Sequence, residues 1–113
     1  MMRRLLFISL LGWLGMAKAQ QHWVVDSEDW DRPRSAEHVL SLAPVRQAVH
    51  GLLLLPDSRL EIRYPGGEAG SLQAAELRDW LISLGIDADR LETVPAPLPG
   101  GQLELQLFSA EGS

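Results

Sequence analysis

The chain reads as a two-layer α+β domain, two helices on a four-stranded sheet, with elements in the order β-α-β-α-β-β. Three observations predict it. Leu103, Leu105 and Leu107 alternate with Gln102, Glu104 and Gln106, the period of a half-buried strand. Ala74, Leu77, Leu81 and Leu84 recur at three and four residues, which puts them on one face of a helix. The strand-helix-strand stretch from Leu60 to Val94 has the length of a crossover between parallel neighbours. Such crossovers are almost always right-handed, which lays the helices on one face of the sheet.

Ahead of this domain stands a segment with the three parts of a secretory leader. Arg3 and Arg4 supply the positive start, Leu5 to Met16 is an almost unbroken apolar run, and Ala17-Lys18-Ala19 is a small-x-small cleavage site. Cleavage is expected after Ala19. An apolar run of about a dozen residues falls short of the roughly 20 that span a bilayer, so no stable membrane anchor is expected. No cysteine stands at the cleavage point, which excludes a lipid-modified terminus. The expected location is therefore periplasmic.

From Gln20 the elements follow in order. His22-Trp23-Val24-Val25 is a short β-type run, and the charges and Pro33 of the stretch from Asp26 to Ser35 predict a loop. Ala36 to Leu42 reads as a helical piece kinked at Pro44. Val45, Ala48, Val49, Leu52 and Leu53 form one face of the first main helix, with Ser41 as its expected cap. Pro56-Asp57-Ser58 is a turn, and Leu60, Ile62 and Tyr64 alternate with Arg59, Glu61 and Arg63 as a strand. After Pro65-Gly66-Gly67, Ser71 is expected to cap the second helix. Gly85 closes that helix in a left-handed conformation, with Ile86 folding back on Leu81. Leu91 to Val94 is the third strand, Pro95 to Gly101 is expected to be irregular, and Gln102 onward is the fourth strand. The folded domain is expected over 20–108, with 109–113 as a flexible tail.

Removing the leader takes Arg3, Arg4 and Lys18 from the ten basic residues, leaving seven against fifteen acidic ones, a net charge of −8. A surface of that sign excludes nucleic acid and anionic lipid as partners, because both need a basic face. With no cysteine at all, stability outside the cytoplasm must come from packing.

Several motifs fall short of chemistry. Gly66-Gly67-Glu68-Ala69-Gly70-Ser71 sits between strand and helix, as a phosphate loop would, but lacks the glycine spacing and the lysine. Free N–H groups at its Ser71 end could at most receive a carboxylate. His22, His38 and His50 are widely spaced and stand without a cysteine, so no metal is expected. Glu28, Asp29 and Asp31 lack the glycine of a calcium loop. No nucleophile motif is present, so neither an enzyme activity nor a cofactor is expected. Trp80 reads as core, whereas Trp23 and Trp30 flank a polar loop, where an exposed indole suits a protein contact.

The stretch Gln73-Ala74-Ala75-Glu76-Leu77-Arg78-Asp79-Trp80-Leu81-Ile82-Ser83-Leu84-Gly85-Ile86-Asp87-Ala88-Asp89-Arg90-Leu91 resembles the second helix and following turn of OmpA-like, peptidoglycan-associated domains. The resemblance extends over residues 40–94, where an apolar helix, a proline turn and an amphipathic strand precede that helix. It implies the α+β fold and a cell-envelope setting. Members of the family hold the diaminopimelate of peptidoglycan with a loop aspartate and a helix arginine. The position matching the arginine is Gln73, and the short loop Pro65 to Gly70 offers only Glu68. Losing both charged groups weakens such a contact severely.

The combined expectation is a non-enzymatic periplasmic accessory protein of an envelope machine, a pilus, secretion or conjugation apparatus, acting through contacts with envelope proteins. The alternative is a peptidoglycan-binding module, of this type or of the similar-sized sporulation-related repeat type. Trp23, Trp30, Tyr64, Glu68 and Gln73 are the candidate contact residues for partner or wall.

Overall fold

The computed structural model describes residues 19–30 and 35–109. The expected leader, except Ala19, and the last four residues of the expected tail lie outside the described residues. Strand β1 (Ala19–Asp26) is followed by a helical turn α1 (Ser27–Trp30), a short helix α2 (Ala36–Ser41) and the first long helix α3 (Ala43–Leu54). Strand β2 (Arg59–Pro65), the second long helix α4 (Glu68–Ser83), a 3-10 turn at Ala88–Arg90, β3 (Leu91–Ala96) and β4 (Gln102–Phe108) complete the chain. The order β-α-β-α-β-β is the one the periodicity predicts. Among the described residues no helix is long and apolar enough to cross a membrane.

The four strands form one mixed sheet in the order β1-β4-β2-β3. β2 and β3, joined through α4, are adjacent and parallel, while β4 runs antiparallel to both β1 and β2. Register then sorts the side chains. Trp23, Leu105 and Ile62 stand level across three strands, as do Gln21, Leu107 and Leu60, and all of these point to the helix side. Leu60, Ile62, Leu105 and Leu107 meet Val45, Ala48 and Leu52 of α3 and Ala74, Leu77 and Leu81 of α4 in one fully buried cluster. Each buried Leu or Ile contributes about 1.5–3 kcal/mol of hydrophobic stabilisation. At Gly51 the helix comes so close to the sheet that a Cβ would lie 2.7 Å from Leu107 Cδ2.

Several local expectations are corrected. Asp26 is still strand and Ser27–Trp30 is a helical turn, not loop; residues 31–34 lie outside the described ones. The first helical piece is not kinked at Pro44: Leu42 is extended, so α2 ends and α3 begins afresh, with Pro44 in its first turn where no N–H is needed. Ser41 does not cap α3 but donates to the His38 carbonyl at 2.6 Å, whereas Ser35 caps α2 by accepting from the His38 N–H. Leu53 is 66% exposed and does not share the inner face; Gly51 takes that place. Leu84 is only half-buried. The second helix starts at Glu68 rather than after Ser71, because Gly67 makes the turn at φ +114° and the Ser71 N–H already bonds the Gly67 carbonyl. Finally, Pro95 and Ala96 belong to β3. This strand lies on the sheet edge, where a proline removes no ladder bond.

The helix ending was legible. Gly85 has φ +107°, its N–H bonds the Ile82 carbonyl and the Ile86 N–H bonds the Leu81 carbonyl, which is the paired bond pattern of a Schellman ending. Beyond it, Arg90 reaches back to the other end of the layer. Its Nη2 donates to the carbonyls of Leu52 at 2.8 Å and Leu55 at 3.0 Å, and its Nε donates to the Ser58 carbonyl at 2.8 Å. Ser58, a buried polar residue, receives a further Nη2 bond on its hydroxyl and donates that hydroxyl to Leu55. A cation thus sits at the carbonyl end of α3, the favourable end of the helix dipole. Arg78 secures the same turn from the α4 side through the carbonyls of Ala88 and Leu91.

Leu81→Ala is expected to lower stability by about 2–5 kcal/mol, since it empties a fully buried site. Gly85→Val is expected to cost about 1–3 kcal/mol by forcing a β-branched residue to positive φ. Chemical denaturation reads both, and unchanged midpoints would contradict the packing described. Arg90→Ala is expected to cost about 2–4 kcal/mol, because three carbonyls and the Ser58 hydroxyl lose a charged donor. Arg90→Lys should recover only part of that loss, since an ammonium cannot reproduce the planar fork.

Candidate functional site

A concavity of about 640 Å³ lies between α3 and β1. Helical spacing builds one wall: Arg46 and Gln47, then His50 and Gly51, then Leu54 fall on the same face of α3, and Leu55 continues it. Strand alternation builds the other, since Gln21 and Trp23 both point to the helix side of β1. Leu107 closes the bottom, where Gly51 lets the helix approach.

Apolar surface dominates this groove and spills out of it. Trp23 is half-buried against the core, while Leu54 and its neighbour Leu53 are each about two-thirds exposed. Polar groups line the rim. Arg46 is held in place by donating Nη1 to the Leu40 and Ser41 carbonyls, both at 3.3 Å, at the end of α2. The lining supplies a guanidinium, an imidazole and two carboxamides, with no carboxylate, hydroxyl or thiol among its side chains. Such a surface can take up apolar side chains and hydrogen-bond what flanks them.

Of the residues singled out from sequence, Trp23 lines this groove, whereas Tyr64, Glu68 and Gln73 do not. Trp30 ends the α1 turn. Tyr64 is half-buried on the helix side of β2, packed against the core. Glu68 is exposed in the first turn of α4 and Gln73 is half-buried farther along the same helix. Tyr64, Glu68 and Gln73 therefore group where β2 runs into α4, two strands away from Trp23. The turn there is tight. A Cβ on Gly70 would strike the Pro65 carbonyl, so the helix packs directly on the strand end. The Ser71 N–H is taken by the Gly67 carbonyl and an acid occupies the first turn, which removes the anion site that the sequence left open.

The face of the sheet away from the helices carries cross-strand charges. Arg63 lies between Glu61 (Nη1 to Oε1, 3.4 Å) and Glu104 (Nε to Oε1, 3.2 Å, without the alignment of a hydrogen bond), and His22 Nδ1 is 3.7 Å from Glu104 Oε2. Arg59 pairs with Glu92 at 3.4 Å and rests 5.7 Å over the Phe108 ring. The exposed Arg59–Glu92 pair is worth about 0–1 kcal/mol, whereas Arg63 and its two glutamates are mostly buried. The three histidines sit on separate elements, with His38 Nε2 3.1 Å from the Asp29 carbonyl. Among the described residues no three metal-ligating side chains converge.

Sequence reading missed the α3 side of the groove, although one signal was present. Leu52-Leu53-Leu54-Leu55 is a run of four at the end of α3, and consecutive helical positions such as its first three cannot all face one core. No family model matches the chain, and no curated protein shows significant similarity to it.

Leu54→Ser is expected to change stability by no more than about 0.5 kcal/mol, as for an exposed site, while lowering the uptake of a hydrophobic dye by the folded protein. A large loss of stability would mean that Leu54 belongs to the core.

Proposed function

We propose that the chain is a non-enzymatic periplasmic accessory protein of a cell-envelope machine, a pilus, secretion or conjugation apparatus, and that it works through protein–protein contacts. The observation that carries this reading is the apolar groove between α3 and β1, lined by Trp23, Leu54, Leu55 and Leu107. Contiguous exposed apolar surface beside a half-buried tryptophan suits docking of protein, since anchors of this kind dominate interface energetics. The leader-like start, the acidic mature chain and the OmpA-like stretch around Gly85 to Leu91 support an envelope setting.

Peptidoglycan remains the competing ligand, because the resemblance runs through the helix that would contact it. Gln73 and Glu68 weigh against it. The ligand's carboxylate would find a carboxamide and its ammonium would find an acid on the helix rather than in a loop. Each lost charge-assisted bond costs about 1.5–3 kcal/mol, so affinity should fall by two or more orders of magnitude.

Affinity isolation from cells with carboxyl-directed or photoreactive crosslinking is expected to capture subunits of an envelope assembly. Amine chemistry is unsuitable, because Lys18 is the sole lysine and lies in the leader. Co-sedimentation with isolated sacculi is expected to show no saturable binding that free diaminopimelate displaces. Micromolar binding displaced by that amino acid would overturn the accessory reading and establish the wall-binding one.

A further inference from the structure

The two edges of the sheet are built differently. β3 carries Pro95, which has no N–H to offer, and an exposed Glu92, both devices that keep an edge from pairing. β1 has neither. From Gln20 to Val25 it reads Gln-Gln-His-Trp-Val-Val, with no proline, glycine, lysine, arginine or acid, and it has no strand on its outer side among the described residues. Val24 is 43% exposed on it, and α3, which packs on β1 and β4, presents the exposed Leu54 beside Gln21 and Trp23.

Charge follows the same division. The mature chain carries a net −8, yet no acid occurs between Glu37 and Asp57, nor in β1 before Asp26. The strip formed by β1 and α3 is thus free of the repulsion that the rest of the surface would exert on a like molecule.

We propose that β1 pairs antiparallel with β1 of a second copy about a twofold axis through Val24, joining the two sheets into one. The proposal rests on the reading that this chain works through protein contacts, and it names the occupant of the groove side. An axis through Val24 sets His22 opposite Asp26 of the copy, twice by symmetry, on the face away from the helices. It also sets Trp23 opposite Val25 on the helix side. An axis through Trp23 would instead place Asp26 opposite Gln20 and bring no imidazole to the carboxylate.

The helix layer fits the same operator. Strands lie about 4.8 Å apart, and α3 rests over β1 and β4, so α3 and its copy approach to about 10 Å. That is the spacing of packed helices, and Leu54 lies on the side of α3 that faces the seam. The helices run antiparallel there, which brings Arg46 toward the carbonyl end of the copy.

Sedimentation equilibrium of the protein as recovered from cells is expected to show a monomer–dimer equilibrium in the micromolar range. Val24→Lys, at an exposed position, should leave the circular dichroism spectrum intact and weaken the dimer at least about tenfold. Because the chain has no cysteine, Val24→Cys adds a unique thiol at the axis. Its Cα would lie about 4.5–5.5 Å from that of the copy, within disulfide reach, so mild oxidation should crosslink it quantitatively. Glu92→Cys on the other edge should stay monomeric. A monomer across the concentration range, or a dimer in which Val24→Cys crosslinks no better than Glu92→Cys, overturns the proposal. A monomer that still captures envelope subunits overturns it while leaving the accessory reading standing.

Discussion

The fold depends on one guanidinium. Arg90 lies in the turn after α4, yet its four hydrogen bonds go to Leu52, Leu55 and Ser58, more than thirty residues earlier, at the end of α3 and in the turn leading to β2. Leu52 stands in the last turn of α3, where carbonyls lack an intrahelical donor, while Leu55 and Ser58 belong to the turn beyond it, where the Leu55 carbonyl also receives the Ser58 N–H and hydroxyl. One planar fork answers all of them at once. It fixes the exit of α3, the entry of β2 and the entry of β3 relative to one another, and so holds β2 and β3 side by side as parallel neighbours.

This arrangement explains what the sequence made legible and what it did not. The buried rows Leu103-Leu105-Leu107 and Ala74-Leu77-Leu81 follow from period alone, because a strand or helix with one solvated face must repeat. The Gly85-Ile86 ending was readable for the same local reason. Arg90 was not, since nothing local distinguishes a cation that clamps carbonyls across the fold from one that is solvated. Pro95 was misplaced because whether a strand lies at an edge is a property of the sheet, which one segment cannot announce. Ser71 was misread because Gly70 in Gly-Glu-Ala-Gly suggests a loop, whereas its role is to let α4 start against Pro65.

The candidate site divides in the same way. Trp23 was found because an indole beside a polar segment is a local signal. Its neighbours Arg46, His50 and Leu54 were missed because they join it only through the packing of α3 over β1. Gly51 controls that packing. Its missing Cβ lets the helix come down on Leu107, the residue that closes the bottom of the groove.

The residues on which the proposed likeness to OmpA-like domains rests, Gly85 to Leu91, are engaged in scaffold bonds: Gly85 and Ile86 close a helix, the Ala88 and Leu91 carbonyls receive Arg78, and Arg90 clamps α3. A resemblance concentrated there speaks to how the chain folds, because those bonds would be needed whatever the domain contacts. Ligand chemistry would have to reside at the β2–α4 junction, and there the chain presents a tight glycine turn, an exposed Glu68 and a neutral Gln73. The apolar surface that could perform work lies elsewhere, on the α3–β1 side, where the acids are absent. Fold and working surface are thus set by different residues, so the first can resemble a family while the second departs from it.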